Sequence, residues 1–264
     1  MGQTQAPNTG MNRTGILMSP IDSKAMQEAA PSTMAPPGDE SALAAMRADY
    51  IASADPVGSM PPPASVTGAV QAAVAILKGE RPQVLLDKLG ERLAFERTGT
   101  RLYDALITKC AVMLGPEMNM AIADLERIRA DEARHFLLVA EAIESLGGDP
   151  TTQTPSADLA GVESMGLVQV LNDPRTTIAQ SLHAILTAEL SDKAGWETLV
   201  GLAEDHGLTE LAADFTQALE KEREHLGLVT AWYGEALGMS DGQVEVQADA
   251  AASTAPRGGG AAPA

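Results

Sequence analysis

Residues 125–146 read LERIRADEARHFLLVAEAIESL, and residues 211–232 read LAADFTQALEKEREHLGLVTAW. In the first stretch Leu125, Ile128, Val139 and Leu146 fall at steps that keep one helical face, and Glu132 and His135 interrupt that face in the middle. In the second, Leu211, Phe215, Val229 and Trp232 mark the face, and Glu222 and His225 interrupt it in the same way. A Glu-x-x-His pair lies on one side of a helix, so both side chains of each pair reach the same point. The two stretches therefore predict amphipathic helices that each carry a carboxylate and an imidazole on the buried stripe.

Working outward, two further stretches share the pattern with one carboxylate each. Residues 82–113 give the stripe Leu89, Leu93, Glu96, Tyr103, Ile107, and residues 174–205 give Leu182, Ile185, Glu189, Trp196, Leu199. Glu91 is the rival acid in the first of these. It is five residues from Glu96, about 140° around a helix of ~3.6 residues per turn, and so points elsewhere. The pattern also repeats internally. Glu96 precedes Glu132 by 36 residues, Glu189 precedes Glu222 by 33, and an aromatic (Tyr103 or Trp196) follows each lone Glu by seven.

Punctuation sets the boundaries. Gly115-Pro116 breaks the first long helix, and a second over about 117–146 stops at Gly147-Gly148-Asp149-Pro150. Asp173-Pro174 offers a cap and a first-turn proline for the third helix, 174–205, and the fourth runs over 209–237. The 149–172 connection has room for a short helix near 157–170. The fold expected is all-α, a four-helix bundle with short turns within each hairpin and one long crossover between them. The domains expected are a low-complexity N-terminal extension over 1–62, the bundle over 63–240 and a flexible C-terminal tail over 241–264. Within the extension, 39–51 could form one short helix capped by Asp39 or Ser41, and another short helix is expected at 65–79.

Composition narrows the function classes. The chain has 264 residues, with 36 acidic against 18 basic and a net charge of −18, which disfavours nucleic acid and anionic lipid as partners and favours cations. The 3% of aromatic residues fits helices packed on helices better than a β-sandwich. Cys110 is the one cysteine, so a disulfide framework, a cysteine-built zinc site and a four-thiolate iron–sulfur cluster are excluded within one chain. No run of apolar residues is long enough for a membrane span, and the start lacks a basic segment followed by an apolar one, so the cytoplasm is the expected location. His183 and His206 lack a partner at ligand spacing and read as ordinary helix-surface or helix-end residues, and Cys110 as a small buried one.

Four glutamates on facing core stripes need neutralising, because burying an unpaired charge costs several kcal/mol. Lys and Arg are scarce on these stripes, and two divalent cations would balance four carboxylates. Oxygen and imidazole donors without thiolate suit iron, with manganese the other choice. One Glu from each of two helices and Glu-x-x-His from each of the other two is the arrangement of dimetal carboxylate bundles.

These residues resemble the ferritin-like superfamily, specifically bacterioferritins and rubrerythrins. Asp131-Glu132-Ala133-Arg134-His135 is similar to the bacterioferritin second-helix motif, and Glu96 with Tyr103 to the first-helix motif of both families. The likeness covers about 175 residues and implies two iron ions per chain, with Glu132 and Glu222 bridging and Glu96, Glu189, His135 and His225 as terminal ligands. Asp131 would support the ligands from outside. The second Glu-x-x-His departs from the family pattern, with Lys221 where an Asp is expected, and the tails have no counterpart.

The function implied is a di-iron oxidoreductase, ferroxidase-like, that reacts with dioxygen or peroxide. The alternatives are iron storage or detoxification in a shell, and a metal-stabilised structural or stress-associated bundle. A rubrerythrin-type self-contained peroxidase is disfavoured for want of cysteines, so an external electron donor is implied. Tyr103 and Trp196 read as core packing beside the metals. The two long tails favour a homodimer over a closed shell.

Overall fold

The computed structural model describes residues 19–32, 41–55, 57–58 and 82–239. The chain divides into two units, Met1–Pro56 and Val57–Ala264. In the first, α1 (Pro20–Ala29) runs into a single 3-10 turn, Ala30–Ser32, and α2 spans Ser41–Ser53. Helix α2 buries none of its residues, and Leu43, Met46, Tyr50 and Ile51 are all exposed. Helix α1 was not foreseen: its proline sits at the first helical position, where no backbone N–H is needed. The predicted helix at 65–79, the C-terminal tail over 241–264 and the predicted boundary at 62/63 lie outside the described residues.

The second unit holds α3 (Pro82–Met113), α4 (Ile122–Ser145), α5 (Pro155–Asn172), α6 (Ile178–Asp205) and α7 (Thr209–Ala236). Helices α3 and α4 pack as one hairpin and α6 and α7 as the other; α3 meets α6 and α4 meets α7 across the middle. Helix α5, in the crossover, packs mainly on α3 and also on α6. Two hairpins joined by one long crossover make the ferritin-like architecture. Among the described residues no helix is long and apolar enough to cross a membrane.

Local chemistry sets the ends. Gly147 (φ 79°) and Gly207 (φ 67°) take the left-handed conformation that closes α4 and α6. The following N–H groups, of Gly148 and Leu208, bond back to the carbonyls of Ile143 and Ala203. Two starts differ from expectation. Helix α6 begins at Ile178 rather than 174, because Thr177 and Gln180 form a reciprocal capping box. Asp173 instead ends α5, and its carboxylate accepts from the backbone and side chain of Arg175. Helix α4 begins at Ile122 rather than 117, after a turn that Met118 N–H closes onto the Gly115 carbonyl.

The buried apolar residues form two separate clusters. One gathers Leu102, Leu106, Leu125, Ile128, Ile185, Val229 and Trp232; the other gathers Leu85, Leu89, Val139, Trp196, Leu199 and Phe215. On α4, α6 and α7 the buried charged residues fall between the two clusters, and on α3 Arg92 and Glu96 flank the changeover from Leu93 to Phe95. The bundle is thus two apolar plugs with a polar layer between them, and the plugs keep that layer dry.

Candidate metal centre

Every predicted site residue is buried in this layer. Glu96, Glu222 and His225 are fully buried, and Glu132, Glu189, Asp131 and His135 nearly so. The three-residue step of each Glu-x-x-His holds both side chains inward on α4 and α7. Nδ1 of His135 lies 2.6 Å from Glu222 Oε1 and 3.8 Å from Glu96 Oε2. Nδ1 of His225 lies 3.3 Å from Glu222 Oε2 and 3.6 Å from Glu132 Oε1. The two imidazole rings are 6.3 Å apart.

The outer atoms are held by the bundle. Trp196 Nε1, on α6, donates to Glu96 Oε1 on α3 at 2.9 Å, and the Tyr103 hydroxyl, on α3, donates to Glu189 Oε1 on α6. Each aromatic therefore fixes the lone glutamate of the opposite hairpin, a role beyond the core packing expected of it. Asp131 Oδ2 faces the outer nitrogen of His225 at 3.2 Å, while Arg127 and Arg134 pair with the same carboxylate. A carboxylate behind a histidine orients the ring and raises its basicity as a ligand. Lys221, where a matching acid would stand, pairs with Glu224 at the exposed surface.

The inner atoms have no such support. Glu96 Oε2, Glu132 Oε1 and Glu189 Oε2 are buried without a hydrogen-bond partner, and His135 Nδ1 and Glu222 Oε1 face only each other, at 2.6 Å. Orphaned buried acceptors are costly, and here they converge. Glu96, His135 and Glu222 bring one ligand atom each within 4.8 Å of one another, as do Glu132, Glu222 and His225. The donors are oxygen and nitrogen throughout, so the residues fit hard or borderline divalent cations. Glu222 belongs to both groups. Glu189 joins neither group, with one oxygen taken by Tyr103 and the other orphaned.

Two residues of the layer were missed from sequence. Asp192 on α6 is buried and joins Glu96, Glu132 and Glu222 in a third convergent group. Arg92 on α3 is also buried; its Nε is 3.1 Å from Glu96 Oε1 and one terminal nitrogen is 2.8 Å from Asp192 Oδ1. Lys and Arg are scarce on the buried stripes, as expected, and Arg92 is the exception that sequence reading passed over. Four glutamates and Asp192 carry −5 when ionised, Arg92 returns +1, and two divalent cations balance the remainder. A signal existed for both: Asp192 follows Glu189 by three and Arg92 precedes Glu96 by four, each a same-face step.

Burial pushes the carboxyls of Glu96, Glu132 and Glu189 well above the usual range, and neighbouring carboxylates push them further. Burial likewise raises Asp192 to about 7, against the pull of Arg92. For Glu222 the two imidazoles outweigh burial and bring it down to about 2. Without metal the layer therefore holds protons, and cations must displace them to bind.

No protein-family model matches the chain, and no curated protein matches it. Among solved structures, a crystal structure described as ferritin like, diiron-carboxylate proteins from Bacillus anthracis str. Ames is similar, at 21% identity over 57% of this chain and 96% of that one, with a TM-score of 0.46. The dimetal-type cluster described above stands on this chain's own side chains.

The remaining candidates lie apart from the cluster. Glu91 pairs with Lys88 at 2.5 Å, half-exposed. His183 stacks at a tilt on Tyr233, and His206 closes α6 with Nδ1 2.8 Å from the Leu202 carbonyl. Cys110 is buried, and burial raises its thiol to about 11, which makes it inert rather than reactive.

Proposed function

We propose that the protein is a di-iron oxidoreductase, ferroxidase-like, that binds two iron ions per chain and reacts with dioxygen or peroxide. The observation that carries this reading is the convergence of buried carboxylate and imidazole atoms from four helices, with Asp192 the contributor from α6, on one buried layer where several of the oxygens lack a hydrogen-bond partner. Glu96, Glu132, His135, Glu189, Glu222 and His225 would hold the metals. When bound, a ferrous pair supplies two electrons to the oxidant at one place.

The chain's residues do the rest. Glu222, low in pKa and central to the cluster, is ionised at neutral pH and offers both oxygens. Trp196 and Tyr103 keep the outer oxygens of Glu96 and Glu189 occupied and so aim the inner ones. Asp131 fixes the ring of His225. The two apolar clusters exclude water above and below. Cys110 alone provides no thiolate relay, so electrons for turnover come from an external donor, and the assembly is a homodimer.

The test is anaerobic loading with Fe(II), metal analysis after desalting, and rapid mixing with dioxygen or peroxide while the ferric absorbance is followed. Two irons per chain and oxidation faster than that of free Fe(II) are expected. Intact folded protein that retains no iron would defeat the reading.

A further inference from the structure

We propose that the groove between α3 and α5 is a binding site for a small organic dianion, a dicarboxylate on a short carbon chain, held by Arg97 and Arg101. The site is separate from the buried layer and does not depend on the metals.

The starting observation is a pair of charges left over. Within residues 82–239 every lysine and arginine but two is engaged. Lys109 donates to the carbonyls of Asp173 and Thr176, and the others pair with a carboxylate. The exceptions are Arg97 and Arg101, which have neither an ion pair nor a hydrogen bond among the described residues. The chain carries 36 acidic residues against 18 basic, so two arginines without an acid need a reason. They stand four apart on α3, and both guanidiniums leave the helix on one side.

Both arginines line one groove of about 340 Å³. Helix α5 forms its other wall and runs parallel to α3: Thr154 lies against Gly90 and Asp173 against Lys109, each pair 64 residues apart. That register sets Gly161 level with Arg97, where the missing side chain leaves the groove open; a Cβ there would meet no atom within 4 Å. Ala94, Ala157 and Val168 give apolar lining, and no acidic residue lines the groove. The hydroxyls of Thr98 and Ser164 donate to the carbonyls of Ala94 and Ala160. The polar groups left for a ligand are the two guanidiniums and the amides of Gln153 and Gln169, which also lack a partner among the described residues.

These features choose the ligand. A guanidinium presents a planar fork that matches the two oxygens of a carboxylate. Two forks on side chains about one turn apart, with ~6 Å between their Cβ atoms, match two carboxylates at the ends of a short chain. The apolar lining takes the chain. The volume lies at the small end of the ~300–1,000 Å³ of ligand pockets and suits a molecule of a few carbons. The net charge of −18 disfavours a polyanion, which would extend past the groove over acidic surface. A small dianion escapes that repulsion, because at physiological salt charges beyond about 8 Å are screened and the two arginines dominate.

The experiment is calorimetric titration of the full-length chain with glutarate, with pentanoate as the one-carboxylate probe and inorganic phosphate as the compact one. Glutarate should bind once per chain, and pentanoate and phosphate at least about tenfold more weakly. Arg97→Gln with Arg101→Gln changes two exposed positions, so the fold should stand while glutarate binding weakens at least about tenfold. Gly161→Leu puts a good helix former into α5 and a side chain into the groove; it should melt no lower than wild type and also lose glutarate. Metal-free and Fe(II)-loaded protein should bind glutarate alike, which separates this site from the metal centre. No glutarate bound by wild type, phosphate or pentanoate bound as tightly as glutarate, binding that requires the metal, or binding unchanged by the arginine and Gly161 substitutions would each overturn the proposal. A chain that binds glutarate as expected but retains no iron would defeat the dimetal reading and leave this one standing.

Discussion

Replacing Gly99 with Ala should separate the fold from the site. A Cβ built at Gly99 comes within 2.2 Å of Glu132 Oε2 and 3.1 Å of its carboxyl carbon, whereas ordinary contact begins at 3.4 Å. The obstructing atom is the far end of a flexible side chain, so the carboxylate can retreat by about 1 Å without moving the helices, several times the ~0.2 Å tolerance of a metal–ligand distance. Meanwhile Ala replaces Gly inside helix α3, which favours the helix by up to about 1 kcal/mol. Metal-free Gly99→Ala should therefore melt at or above the wild-type temperature. Its stabilisation by metal should shrink. Cation at 100 times its dissociation constant adds about 2.7 kcal/mol, and each tenfold loss of affinity removes about 1.4 kcal/mol of that. Thermal unfolding of both proteins, with and without anaerobic Fe(II), measures the two effects separately. Equal metal-dependent shifts in wild type and Gly99→Ala would refute the placement of Glu132 as a ligand.

Metal-free protein should lose stability as pH rises. The raised carboxyls of Glu96, Glu132 and Glu189 bind more protons folded than unfolded, and Asp192 does so between its ordinary value near 4 and about 7. Urea unfolding should show the apo protein weaker at about pH 8 than at about pH 5.5 by more than about 1 kcal/mol, with Glu222 contributing in the opposite sense only below its ordinary range; a flat profile would contradict the buried acids. Glu132→Ala should abolish most of the metal-dependent stabilisation while Glu91→Ala leaves it unchanged, and metal analysis showing the reverse would overturn the helix phase. Trp196→Phe should leave Glu96 Oε1 with the Arg92 contact alone and lower metal affinity about tenfold by calorimetry, near the value of one buried hydrogen bond to a charged group. Light scattering on metal-loaded protein should give a dimer; particles of many chains retaining hundreds of irons would favour storage.

The bundle and its centre were legible because they break a rule of burial. Glu96, Glu132, Glu189 and Glu222 interrupt stripes that are otherwise apolar, and a helix phase computed from Leu and Ile places them inward without any structure. The helix starts were harder. Asp173-Pro174 has the composition of a helix start, yet the Thr177–Gln180 box satisfies two backbone N–H groups and Asp173 is engaged by Arg175. Where two capping signals lie four residues apart, composition does not choose between them. Helix α1 escaped notice because it is only ten residues long and lies in an extension whose Pro, Ser, Ala, Met and Gly content reads as an irregular tail.

Arg92 and Asp192 were hidden for a different reason. Both lie on the same faces as Glu96 and Glu189, but one acid per helix already completes the expected donor set, and arginine is a surface residue by default. Both expectations fail when two charged residues on different helices are complementary, since each makes the other's burial tolerable. The pairing exists only in three dimensions: 100 residues separate Arg92 from Asp192, and the Gly195 niche that admits the guanidinium looks in sequence like a weak point in α6. The internal repeat misled in the same direction, because matching Glu to Glu and His to His implies a symmetric centre. Symmetry holds for the glutamates and histidines that line the layer and fails for the charges beside them. Arg92 belongs to the charge balance of the layer: with Asp192 it adds a neutral pair, and its removal alone leaves one more buried carboxylate to be neutralised by a proton or a cation.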